Sequence, residues 1–282
     1  MMKGLVMKKV LLLIVCLVFV SVAIAGEKPV NLLKSLQHSS WEIGPDAYYS
    51  QYKEPGFMKN TGYFYGVQAA YTYREWVPMF PTDEAELKWM YRVEGRYDWG
   101  VVDYDGAIVN LETDESIPYS FDNKHDSAGE FRLLFGPDFP KATVVDTIYS
   151  GLGYRFLDDS ESGDPFGYDR QSHYVYLPIG FKTVRNLAGN WLISANAEFD
   201  LLLMGRQSSD LSGFGFGTIH NKQNSGYGVR GSLGFEYTAK EIAVIIQPFI
   251  RYWNISQSEI NNGWIEPKNN TTEIGLDFIF RF

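Results

Sequence analysis

Apolar and polar positions alternate with a period of two in ten segments of this chain. In the last of them Ile274, Leu276, Phe278, Phe280 and Phe282 fall on one side, with Glu273, Gly275, Asp277 and Arg281 on the other. Successive side chains of a strand point to opposite faces, so the pattern predicts a strand with one greasy and one charged face. Trp191 to Leu203 repeats it against Glu198 and Asp200, Tyr227 to Tyr237 against Arg230 and Glu236, and Leu87 to Trp99 against Arg92, Glu94, Arg96 and Asp98. The ten predicted strands cover residues 40–52, 60–75, 86–102, 127–136, 142–157, 171–185, 190–206, 224–238, 241–256 and 270–282. Within 142–157, Asp146 interrupts an outward row of Val144, Ile148, Leu152 and Tyr154.

The connections separate a soluble sandwich from a closed barrel. Every second one is short (Pro137 to Lys141, Asn186 to Gly189, Thr238 to Lys240, and a longer one near Pro78 to Ala85), whereas of the others residues 103–126, 158–170, 207–223 and 257–269 are long and polar and only the first, residues 53–59, is short. Transmembrane barrels have short periplasmic turns, long external loops and an even number of antiparallel strands. In hydrocarbon only closure leaves no strand edge unpaired. The predicted fold is therefore all-β: a closed antiparallel transmembrane barrel of about ten strands over residues 40–282, its apolar rows facing lipid.

Composition agrees with strands, since Tyr and Phe number 19 each, with 7 Trp and 27 Gly. Residues 1–25 have the layout of an export signal: Lys3, Lys8 and Lys9, an apolar stretch from Val10 to Val20, then Ala23-Ile24-Ala25 before Gly26. Cleavage there removes the sole cysteine, Cys16, and leaves 22 basic against 34 acidic residues, a formal charge of −12. That balance speaks against nucleic acid as a partner. Residues 26–39 form a periplasmic N-terminal segment in which Val30, Leu32, Leu33 and Leu36 make a short helix, a tuck into the barrel mouth or a disordered leader.

The polar face of the strands carries mixed charge, including Arg74, Arg92, Glu94, Arg96, Asp98, Arg132, Glu198, Asp200, Arg230, Glu236, Arg251 and Asp277, with Glu42, Asp46, Lys88, Lys182, Glu273 and Arg281 beside them. Unpaired charges in a narrow enclosure are costly, so these are expected to pair into networks. Small barrels have interiors that side chains fill, and wide aqueous channels belong to larger ones.

The final strand, Gly275-Leu276-Asp277-Phe278-Ile279-Phe280-Arg281-Phe282, resembles the aromatic closing strand of Gram-negative outer-membrane barrels. The resemblance implies residence in the outer membrane among lipid and lipopolysaccharide. It also implies insertion by the barrel-assembly machinery, with Phe278, Phe280 and Phe282 as the assembly signal.

Asp103-Tyr104-Asp105, at the end of the third strand, places two carboxylates on one face. Ten strands with such a pair resemble the omptin outer-membrane proteases, whose site sets an Asp-x-Asp pair against an Asp-His pair. The second pair is incomplete, because Asp210-Leu211-Ser212 has serine where the family has histidine, and His125, His173 and His220 lie elsewhere. Asp103 and Asp105 thus read first as solvated rim carboxylates and second as half of a proteolytic site. Asp158, Asp159, Glu161 and Asp164 could attract a hard cation, although their spacing is not that of an EF-hand and solvated loop charge is the plainer reading. No resident metal or cofactor is expected. The sequence leads to a monomeric, non-enzymatic outer-membrane barrel with external loops for surface contact and a filled lumen. The alternatives are an omptin-like protease or inactive relative, and a narrow selective pore.

Overall fold

The computed structural model describes residues 37–78, 86–109, 115–141, 143–161, 163–239, 241–261 and 263–282. The export signal and most of the 26–39 segment lie outside these residues. The strands are β1 (Ser39–Glu54), β2 (Met58–Pro78), β3 (Glu86–Val109), β4 (Ser116–Pro140), β5 (Val144–Asp159), β6 (Arg170–Ala188), β7 (Trp191–Asp210), β8 (Thr218–Gln223), β9 (Gly226–Ala239), β10 (Ile242–Ile255) and β11 (Asn269–Arg281). Each pairs antiparallel with its neighbour, and β1 pairs with β11, which closes the ring. β8 continues the line of β9 above a break and pairs with the upper part of β7, so the closed barrel has ten strands. Backbone bonds between Trp41 and Phe282, at 2.8 and 3.0 Å, complete the seam.

The outer wall is apolar between two aromatic belts. Trp41 pairs with Tyr71 and Trp191 with Tyr237 near the short-turn end, while Tyr49 pairs with Tyr63 towards the long-loop end. Between them Ile43, Val67, Leu133, Leu152, Ile179, Ile246 and Leu276 are exposed. An exterior of exposed isoleucine, leucine and valine bounded by Trp and Tyr is stable against lipid, with the belts at headgroup level. By that convention the short turns are periplasmic. Asp146 does point outward, but it lies below the lower belt, where Thr183 Oγ1 donates to it at 2.8 Å and Lys141 lies 3.3 Å away.

Two departures from the expected pattern lie above the upper belt. Residues 103–126 and 207–223, expected as loops, are largely strand: β3 and β4 run on to Val109 and Ser116, and β7 and β8 form a second raised hairpin. Outside the bilayer both faces of a strand meet water or polar groups, so the alternation that marks a strand disappears. A bulge at Leu203 shifts the phase of β7, exposing both Leu203 and Met204 and turning Gln207 and Ser209 inward.

Candidate functional site

Inside the barrel, the alternation that gives lipid an apolar wall gives the lumen Arg, Lys, Asp and Glu. Arg230 stands at its centre. Its Nη1 and Nη2 donate to the two oxygens of Glu130 at 2.9 and 2.8 Å, and its Nε donates to Asp200 at 2.8 Å. Tyr176, fully buried, donates its hydroxyl to Glu130 at 2.6 Å. Arg96 lies 2.9 Å from Asp98 and 3.3 Å from both Glu130 and Glu273. Glu273 also holds Arg155 at 3.0 Å and Arg251 at 3.2 Å. Towards the periplasm, Arg132 bonds Glu94 at 2.9 Å and also Glu198, Arg92 bonds Glu42 at 2.7 Å and Glu94 at 2.5 Å, and Arg74 bonds Asp138 at 2.8 Å. Arg281 pairs with Glu236 at the periplasmic rim. Guanidinium forks suit such a network because each serves several carboxylates in fixed directions.

Aromatic rings pack beside these charges. Tyr48 stacks on Phe64 at 5.2 Å with Phe249 against its edge, and Tyr176 meets Trp253 at 5.0 Å. The Tyr176 ring lies across Gly153, where an added Cβ would come within 2.1 Å of it, so only glycine admits the ring. Rings and ion pairs pack together at mid-height of the barrel interior. Below them, towards the periplasm, is a cavity of about 190 Å³, and above them a pocket of about 20 Å³.

Above the upper belt the mouth is acid-rich. Asp159 accepts from Arg170 at 2.5 Å and from Asn60 at 3.1 Å, and also pairs with Lys124, which reaches Glu161 at 3.0 Å. Arg170 also bonds Glu54 at 2.6 Å, and Gln207 donates to Glu266 at 2.5 Å. Burial, reinforced by the Asp159 charge, pushes the Glu161 carboxyl up to about 7. Burial and the nearby Glu54 push Glu266 up to about 8.

The lumen charges Arg74, Arg92, Glu94, Arg96, Asp98, Arg132, Glu198, Asp200, Arg230 and Glu236 belong to the network just described, and Asp277 accepts from Gln247 at 2.7 Å. Glu130 and Arg155 were not singled out, although each alternates with apolar neighbours, Glu130 beside Phe131 and Arg155 beside Tyr154.

Asp103 and Asp105 share one face, and it is the outward one. Asp105 lies 2.7 Å from Lys59, and Asp103 accepts the backbone N–H of Asn123 at 3.1 Å. Asn123 has a φ of 62° at a register shift between β3 and β4, so Asp103 holds the bulge in place. His173 stacks on Tyr154, His220 bonds Ser208 at 2.8 Å, His125 is exposed, and Asp210 bonds Ser212 in its own turn. His173, His220 and Asp210 are engaged elsewhere, whereas His125 stands opposite Val101 on the outward face that Asp103 shares, with no hydrogen bond between the two among the described residues. The four loop acids also fail to converge. Asp159 and Glu161 enter the mouth network, whereas Asp164 accepts from Tyr119 at 2.6 Å. No group able to hold a metal is found among the described residues.

No protein-family model matches the sequence, and no curated protein matches it. Solved structures do. The outer-membrane protease OmpT from Escherichia coli superposes with a TM-score of 0.55 over 86% of this chain and 96% of its own, at 9% identity. The chain therefore has the fold of a bacterial outer-membrane barrel. The transport unit of the autotransporter AIDA-I from Escherichia coli (TM-score 0.39, 92% and 93% covered, 9% identity) and Neisserial surface protein A (0.35, 85% and 95%, 9%) are more remote barrels. The omptin likeness is one of frame, distant in sequence and without a shared Asp-His pair.

Proposed function

We propose that this chain is a non-enzymatic outer-membrane barrel whose lumen is closed to diffusing solutes and whose raised external rim makes surface contacts. The observation that supports this reading is the buried mid-height cluster of Arg96, Glu130, Arg230, Glu273 and Tyr176. The outward aim of Asp103 and Asp105 also supports it, because a proteolytic pair has to face the cleft that admits the peptide. Assembly by the barrel-assembly machinery through the Phe278, Phe280 and Phe282 strand, a lipopolysaccharide surround and a monomeric state belong to the same proposal. Insertion of the mature protein into planar bilayers tests closure. A silent bilayer is expected, and regular conductance steps would replace this reading with that of a narrow selective pore.

The shared frame with OmpT favours one second reading, an omptin-like protease or a relative that has lost activity. Whole cells displaying the protein are expected to leave a quenched basic peptide intact. Cleavage that vanishes in Asp103→Asn would establish the protease.

A further inference from the structure

The cavity in the periplasmic half of the lumen differs from the rest of the interior. Eight Arg and Lys side chains but five Asp and Glu line it among the described residues. Several of the carboxylates that anchor these guanidiniums, including Asp138 behind Arg74 and Glu198 behind Arg132, are withdrawn from the cavity surface, so cations dominate the exposed wall. Lys182 belongs to that wall. It sits on β6 between Thr147 of β5 and Asn196 of β7, and no described carboxylate comes within ion-pair distance of it. Glu42 attracts its ammonium from further away, while Arg92, Arg281 and Arg74 repel it. Arg132, also in the wall and 8% exposed, leaves its Nε–H without an acceptor among the described residues.

Burial and the neighbouring guanidiniums both work against the ammonium, and an anion joining it would relieve that cost. The cavity has room for on the order of ten waters, or for one tetrahedral oxyanion with part of its hydration. Ser194 and Asn196 add neutral hydrogen-bonding groups to the same wall. We propose that this cavity binds a small oxyanion of the phosphate or sulfate class, with Lys182 as its principal contact. The ligand is a free ion, because the closed ring of strands keeps lipid headgroups out of the lumen. The site lies below the mid-height cluster, so it needs no path across the membrane.

The test is calorimetric titration of the full mature barrel, folded in detergent, with inorganic phosphate at constant ionic strength, and with sulfate and chloride as separate arms. Saturable binding of one equivalent of phosphate or sulfate, but not of chloride, is expected. Lys182→Met should weaken it by about tenfold or more, the equivalent of one charge-assisted hydrogen bond, while Lys182→Arg retains it. Absence of saturable oxyanion binding to the parent protein overturns the proposal, as does binding that Lys182→Met leaves unchanged. If Lys182→Met does not fold, Lys182→Gln replaces it and is read in the same way. Should neither neutral variant fold, the parent decides by its heat-induced gel shift: a midpoint raised by phosphate but not by chloride supports the site, and an equal response to both overturns it. Conductance is a separate measurement, so failure here leaves the closed-lumen reading standing.

Discussion

Arg230 shows most directly what one side chain does in this lumen. It is 7% exposed and bonds Glu130 through two nitrogens and Asp200 through a third. Replacing it with methionine strands those carboxylates in a closed interior, and breaking a buried pair from one side costs about 3–5 kcal/mol. Arg230→Met is therefore expected to lower the urea midpoint of the folded, heat-modifiable band substantially. Arg230→Lys should fall between the two, since an ammonium cannot reproduce the fork towards Glu130. An unchanged midpoint in Arg230→Met would show that the network is not what holds the lumen closed. This side chain was legible in the sequence because Val229 and Gly231 flank it in an alternating row. Its partners were not, because alternation fixes which face a residue takes but not which strand across the barrel it meets. The aim of Asp103 was hidden for a related reason. Two residues apart means one shared face, and only the register of the whole strand says which face that is.

At the scale of elements, the strands within the bilayer could be read and the raised hairpins could not. Lipid enforces an apolar outer row from Trp41 to Tyr49, about 27 Å along the strand, and above that height the constraint ends. The third and fifth external loops instead attach through carboxyls at the mouth, Glu161 to Lys124 and Glu266 to Gln207. These groups titrate near 7 and 8 in the folded protein, against 4.5 when unconstrained. An acid raised on folding binds its proton more tightly in the folded state, so its contribution is full below about 4.5 and is lost as pH rises through 7 to 8. The two loops should therefore be held more firmly at pH 6 than at pH 8.5. Limited proteolysis within residues 160–169 and 257–268 is expected to speed up over that interval while the barrel band stays intact. Glu266→Gln, which stays neutral, should flatten the response in the fifth loop. Equal rates at both pH values would remove the carboxyls as the anchors.

For the whole molecule, the larger free space of the lumen lies in its periplasmic half, and from mid-height upward buried side chains leave little room. The cavity of about 190 Å³ lies on one side of mid-height and the pocket of about 20 Å³ on the other, with Tyr176, Arg230 and Glu130 between. A ten-stranded ring is close to the size at which side chains alone suffice to occlude the interior, so closure should depend on a few large groups. Removing Tyr176 takes away the ring over Gly153, and removing Arg230 frees Glu130 to turn aside. The double variant Tyr176→Ala with Arg230→Ala is therefore expected to conduct in steps in planar bilayers where the parent protein is silent. A double variant that folds and inserts yet stays silent would mean that the occlusion is spread along the lumen, and its dependence on a few mid-height groups would have to be given up.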